Sequence, residues 1–379
     1  MEDRKLTRRD FLRLSAMTAA GVVAAACAQA TPVVVEKEVI KEVPVEKEVI
    51  VEKEVPVEKI VEKEVVKEVP VEKIVEKEKV VEVEKVSPHQ SPMLQERVEA
   101  GELPPLEDRL PLEPLVIEPF DEIGEYGGTL RTCSMETGLY AWGPGGQYYA
   151  PQSELRISPD LTMAKPNVLR AWEVNEEATE ITCYLRKGIR WSDGEPLTAD
   201  DVMFWYEDVL LNEELTPVVP TDFKPGGETM KVEKIDEYTW KYKFAIPHPS
   251  FVMINMAHEY GRWPGAYKPA HYLKQYHIKY NPKVEDEAKK EGYDYWYQYF
   301  GFKDAWGQNM DRPRLRFFIA VEDTPEATFY ERNPYFWQVD PEGNQLPYID
   351  KTVSSKVVDM EMINAKIVSG EVDFAGHRT

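Results

Sequence analysis

The sequence predicts an α/β fold. Three features predict it. Short runs of β-branched and aromatic residues are bounded by Gly, Asn and Asp turns. An apolar stripe at helical spacing follows a capping box. The two kinds of element alternate from Gly127 onward.

Taken in order, Gly127-Gly128-Thr129-Leu130-Arg131-Thr132-Cys133 reads as a turn opening a strand. Residues 171–174 and 180–186 read as strands joined by the polar turn Asn175-Glu176-Glu177. Gly188 and Asp193-Gly194 punctuate the next segment. Thr198 is a helix N-cap, Asp201 completes a capping box, and Asp200 adds negative charge to the first turn. The helix is expected to reach about Leu211, because Val202, Trp205, Tyr206, Val209 and Leu210 fall on one face. Residues 231–235 and 238–244 predict a hairpin around Asp236-Glu237. Residues 283–300 predict a helical stretch, first charged and then aromatic. Residues 316–321, 328–331 and 352–358 read as strands, and 340–344 as a turn. Residues 360–369 predict a helix with Met360, Ile363 and Ile367 inward and Gly370 as its stop.

Composition narrows the functional classes. The 379 residues carry a formal charge of −22, of which −19 lies from Ser87 onward. An acidic body argues against nucleic acid, whose phosphates require clustered Lys and Arg. The 9 Trp and 20 Tyr fill a large core or offer stacking surfaces. Cys27, Cys133 and Cys183 are too few for a disulfide framework. The last two are expected as separate buried thiols, with a bridge as the alternative in an exported protein. None of the six His stands in a metal-binding pattern, and His271 and His277 are too widely spaced to share a helical face. Gly143-Pro144-Gly145-Gly146 lacks the Lys-Ser/Thr of a phosphate loop, and residues 340–344 lack calcium-loop spacing. There is no Gly-x-Ser-x-Gly elbow. No catalytic residue, cofactor or metal is therefore assigned.

The N-terminus reads as an address. Basic residues up to Arg13 precede the apolar, small-residue run 14–26 and then Cys27. At 13 residues the run is too short to span a bilayer as a helix. Thr7-Arg8-Arg9-Asp10-Phe11-Leu12 resembles the twin-arginine export motif, with Arg8 and Arg9 as its pair. Ala24-Ala25-Ala26-Cys27 resembles a lipoprotein cleavage box, with Ala24 where Leu is usual, which implies a lipidated Cys27. Residues 1–26 are thus expected to be a signal peptide, and the mature protein to sit lipid-anchored on the extracytoplasmic face of the membrane.

Residues 27–86 carry the anchor and a stalk. Val-Glu-Lys-Glu-Val copies begin at Val35, Val45, Val51 and Val61. Every Glu from Glu36 to Glu84 is at an even position and every Lys from Lys37 to Lys85 at an odd one. In a helix this parity sets like charges at i and i+4, as in Glu38/Glu42 and Lys59/Lys63. Pro44, Pro56 and Pro70 add interruptions. An extended spacer is expected, about 40 Å across as a coil and about 170 Å near polyproline geometry. A helical or self-pairing stalk is the alternative. Residues 87–126, rich in Pro and Glu, read as a second linker.

The run from Tyr184 to Val202, Tyr-Leu-Arg-Lys-Gly-Ile-Arg-Trp-Ser-Asp-Gly-Glu-Pro-Leu-Thr-Ala-Asp-Asp-Val, is similar to the signature of the oligopeptide/dipeptide-binding family of extracellular solute-binding proteins. Gly127-Gly128-Thr129-Leu130, Glu331-Arg332-Asn333-Pro334-Tyr335-Phe336-Trp337 and Ser369-Gly370-Glu371-Val372-Asp373-Phe374 follow the same resemblance in order. It implies the bilobed type II periplasmic-binding-protein fold over 127–379, a partner permease of an ABC importer, a peptide or oligosaccharide ligand, a monomer and no chemistry. In that family a further large lobe follows the Gly-Glu-Val-Asp segment, so a fold incomplete at the C-terminus is expected. The loop after the first strand often faces ligand there, which makes Trp142, Tyr148 and Tyr149 candidate ligand contacts. A surface-anchored carbohydrate-binding or carbohydrate-active protein is the alternative reading.

Overall fold

Asn175 makes the first hairpin. Its Oδ1 accepts from the backbone N–H groups of Thr179 and Glu180, both at 2.8 Å. This fixes the turn between β5 (Leu169–Val174) and β6 (Glu180–Leu185), as expected from the sequence. A second hairpin joins β7 (Lys231–Asp236) to β8 (Thr239–Lys243). The two combine into an antiparallel sheet of order β5-β6-β8-β7. A short pair, β3 (Leu155–Ile157) and β4 (Ala164–Pro166), precedes them.

The computed structural model describes residues 89–135, 153–257, 266–305 and 307–374, all within the unit Lys79–Thr379. Arg8, Arg9, Cys27 and the stalk lie outside the described residues, as do Trp142, Tyr148 and Tyr149.

A second sheet runs β2 (Thr129–Ser134), β12 (Lys351–Lys356), β10 (Ala327–Arg332), β9 (Phe318–Asp323) in space. β2 and β12 are parallel and the other pairs antiparallel. The main core lies on the first sheet, where Ile181, Cys183, Trp240 and Tyr242 pack with Trp191, Val202, Trp205 and Trp337. Each fully buried side chain of this size contributes about 2–3 kcal/mol of transfer free energy. Cys133 on β2 and Cys183 on β6 are buried, free thiols on different sheets.

The capping box forms as read. Thr198 Oγ1 accepts from Asp200 N at 3.2 Å and Asp201 Oδ2 from Thr198 N at 3.0 Å, opening α3 (Ala199–Met203). The helix does not continue as α to Leu211. It widens into a π segment, Phe204–Leu210. Side chains take two of its carbonyls: His277 Nε2 lies 3.0 Å from Asp208 O, and Thr216 Oγ1 donates to Val209 O at 2.7 Å. Tertiary hydrogen bonds here complete a backbone pattern that the apolar stripe does not encode. A second π segment spans Val252–Met256.

Three further differences have physical causes. The helical stretch 283–300 divides into α5 (Val284–Lys290) and α6 (Trp296–Asp304), following the short α4 (Ala270–Leu273). The Pro/Glu-rich segment is packed against the domain instead of linking to it. It forms α1 (Pro92–Glu99), α2 (Leu106–Arg109) and β1 (Leu115–Val116), the last paired in parallel with β11 (Gln338–Val339). Leu94, Leu106 and Arg109 are buried, and Arg109 donates to Pro334 O and to Gln90 Oε1. These few large side chains outweigh the Pro-rich composition of the segment. Finally, α7 (Met360–Ser369) ends at Gly370 in the left-handed conformation, but only Ile363 is buried. Met360 and Ile367 are each 44% exposed.

Candidate ligand-binding site

The motif residues hold the frame together. Trp191 is buried, and its Nε1 donates to Asp201 Oδ2 at 3.4 Å. The other oxygen of Asp201 accepts from Ala270 N at 2.9 Å, so one carboxylate opens both α3 and α4. Burial raises its pKa to about 6 against the pull of the Ala270 and Thr198 N–H groups and the Trp191 indole. Beside it, His271 Nε2 lies 2.8 Å from Asp193 Oδ2. Burial opposes the charged imidazole, but the Asp193 hydrogen bond and charge win and raise its pKa.

Gly194 joins two motifs by what it lacks. Its φ is 93°, and a Cβ there would stand 2.8 Å from the Tyr335 hydroxyl. Around Tyr335, Asn333 Nδ2 donates to Arg316 O at 2.8 Å, and Arg332 Nη1 to Asp350 Oδ1 at 3.2 Å. Arg332 also lies over the Tyr126 ring, 4.9 Å from its centroid. The segment 369–374 closes on β2. Asp373 accepts from Arg131 N at 2.8 Å and from its Nε at 3.0 Å and Nη2 at 2.5 Å. That bidentate hydrogen bonding holds the Asp373 carboxyl down at about 2.

The candidate ligand loop departs from β2 and returns at Ser153. Its return is rooted in the core. Ser153 O accepts from Asn167 Nδ2 at 2.8 Å, and Glu154 O accepts from Leu169 N at 2.9 Å. The Glu154 carboxyl is buried and accepts from the Tyr242 hydroxyl at 2.5 Å. Burial pushes it up to about 7, against that hydrogen bond. Neither Glu154 nor the Asp201–Ala270 tie was found from the sequence. The Thr-x-x-Asp spacing signals the cap alone, and no local pattern marks Glu154.

Among the described residues no cluster of three or more His, Cys, Asp or Glu could hold a metal ion. His271 and His277 stand apart: one faces Asp193, and the other is buried against the π segment. No described helix is long and apolar enough to cross a membrane.

Motif residues brought together from separate parts of the chain define a structural frame. The chain belongs to the bacterial extracellular solute-binding proteins of family 5, whose middle-region model matches residues 164–379. It is 31% identical over 278 residues to a periplasmic alpha-galactoside-binding protein of Rhizobium meliloti, covering 67% of this chain and 37% of that one. An oligopeptide-binding protein OppA superposes with a TM-score of 0.67 at 37% identity, covering 75% of this chain and 44% of that one. The periplasmic binding protein MelB of Agrobacterium fabrum, solved with stachyose, superposes at 0.62 and 30% identity, over 76% and 43% of the two chains. The chain thus spans less than half the length of these relatives.

Proposed function

We propose that this protein is the substrate-binding component of an ABC importer, capturing a peptide or similar oligomeric solute outside the membrane and delivering it to the permease. The observation that carries the reading is the family match across 164–379, with the motif around Trp191 and Asp201 packed into the buried core. The loop containing Trp142, Tyr148 and Tyr149 is the proposed ligand-facing element, and no turnover is expected of it. Two relatives named for alpha-galactoside and solved with stachyose favour a second reading, an oligosaccharide ligand held by stacked aromatics.

A thermal-shift series tests both, because a ligand that binds only the folded state raises apparent stability by mass action. Stachyose and a mixed-sequence pentapeptide are the probes. Stabilisation by the peptide alone supports the first reading, and by stachyose alone the second. Hydrolysis of either would overturn the binding role. Export through Arg8 and Arg9 and lipidation of Cys27 complete the proposal. Two acyl chains are expected, since one binds membranes only marginally. Mass spectrometry of the membrane fraction should find a lipid-modified N-terminus at Cys27, and an unmodified protein in the medium would overturn the anchor.

A further inference from the structure

A buried histidine closes on the π segment from elsewhere in the chain. His277 is buried, and its surroundings fix its tautomer. Nδ1 lies 3.2 Å from the Lys279 backbone N–H, which can only donate, so Nδ1 must be the acceptor. The proton is then on Nε2, which donates to Asp208 O at 3.0 Å. Asn212 Nδ2 stands 3.4 Å from the same nitrogen, a weaker approach of two N–H groups. The neutral ring thereby joins the wide turn of the π segment to the chain at 277–280. It is edge-on or tilted to Phe204, Tyr280, Trp296 and Phe300, with centroids 4.9–6.1 Å away. Phe204, Trp296 and Phe300 belong to the satellite core that packs α4, α5 and α6 onto Phe204.

A second proton has nowhere to go. It would sit on Nδ1, facing the Lys279 N–H. The charged groups nearby are already engaged or of the wrong sign. From the π segment, the Asp208 carboxylate accepts from Lys279 Nζ at 2.7 Å and Tyr280 Oη at 2.6 Å. From the following loop, Glu214 accepts from Trp296 Nε1 at 3.1 Å. From α5, Glu285 accepts from Trp296 N at 3.1 Å. Lys279 and Lys274 are cations, the latter over the Phe204 and Tyr280 rings. Burial is the largest influence on the ring and lowers its proton affinity, with Lys279 acting in the same sense and Asp208 and Glu214 opposing.

We propose that His277 is a proton-operated lock on the helical layer: the neutral ring fits the 277–280 turn and its aromatic shell, whereas a proton on Nδ1 faces the Lys279 N–H and loosens α4–α6 from the Phe204 face, with the Nε2–H bond to Asp208 O kept in both forms. The device is independent of ligand class. It places the acid-sensitive part of the domain in one satellite core, away from the two sheets.

Hydrogen exchange on the full chain tests this, at about pH 7.5 and about pH 5, corrected for intrinsic rates. The wild type should lose protection about tenfold in residues 270–304 on acidification, while β5–β8 hold theirs. His277→Gln, which cannot take the proton, should keep its protection at both pH values. An equal loss in His277→Gln overturns the proposal. NMR titration of the wild-type imidazole gives an independent reading should that variant fold poorly. A midpoint below the ordinary histidine value supports the lock, and one at or above it sinks it.

Discussion

Asp304 closes α6 onto two other parts of the chain, and replacing it by Asn measures what that closure contributes. Its carboxylate takes a hydrogen bond from Lys268 Nζ and another from Arg312 Nε, the latter at 3.1 Å. The Arg312 side chain is 4% exposed, and those of Lys268 and Asp304 15% each. Two cations thus share one buried anion. Burial alone would raise the pKa of Asp304, but the charges of Lys268 and Arg312 overcome it and leave it below the ordinary value of 3.8. An amide offers one acceptor oxygen, so one cation would meet an NH2 group, and neither would meet a charge. Breaking a buried pair in this way costs about 3–5 kcal/mol. At about 2–4 °C per kcal/mol for a domain of this size, the melting temperature should fall by about 6–20 °C. Arg312→Met on the Asp304→Asn background should cost less than the two single changes added together, by about 1–3 kcal/mol. The pH dependence has a definite sign. A depressed carboxylate pKa contributes stability that is present above 3.8 and lost as pH falls through the folded-state value. Wild type and variant should therefore differ fully at neutral pH and converge in acid. Urea denaturation across pH is the assay. A variant within about 0.5 kcal/mol of wild type at neutral pH, with an additive cycle, would refute the reasoning.

Other substitutions probe other links. Glu154→Gln should remove a pH dependence of the opposite sign. The raised carboxyl contributes stability that is full below 4.5 and lost as pH rises to about 7. The wild type should lose up to about 3 kcal/mol across that window and the variant should not, as read by thermal melts. Gly194→Ala should cost about 1–3 kcal/mol, from a positive φ and a Cβ pressed on Tyr335; Tyr335→Phe in combination should recover part of it. Thr198→Ala should cost about 1 kcal/mol in chemical denaturation, through loss of the cap of α3.

Local signals were the legible ones. The Asn175 and Asp236 turns, the Thr198 cap and the Gly370 stop all act within a few residues, and each was readable from spacing. Features that depend on partners far along the chain were not. Asp201 looks like an ordinary N3 residue until Ala270 arrives, and the π segment looks like an α-helix until His277 takes its carbonyl. Residues 87–126 read as a linker because Pro and Glu dominate the composition, whereas Leu94 and Arg109 decide the packing. On α7 the apolar spacing of Met360 and Ile367 was real, but only Ile363 meets Cys133 and Val357. The candidate aromatics of the ligand loop rest on the family resemblance, with no local pattern to mark them.

The parallel pairing of β2 with β12 has a kinetic consequence. Thr129 lies opposite Lys351, and Arg109 reaches a carbonyl 225 residues further on. The hairpins β5–β6, β7–β8 and β9–β10 close over a few residues and can form as soon as they are made. Residues 89–134 cannot. Their partners at 334–356 leave the ribosome much later, and a loop of that length slows the search even though it adds little to the equilibrium cost. The N-terminal strap is therefore made before the strands it docks on and must wait for them. Until it does, Leu94, Leu106 and the β2 edge are open to other chains. A destabilised strap would betray itself as slow folding and aggregation before it showed as a lower melting temperature.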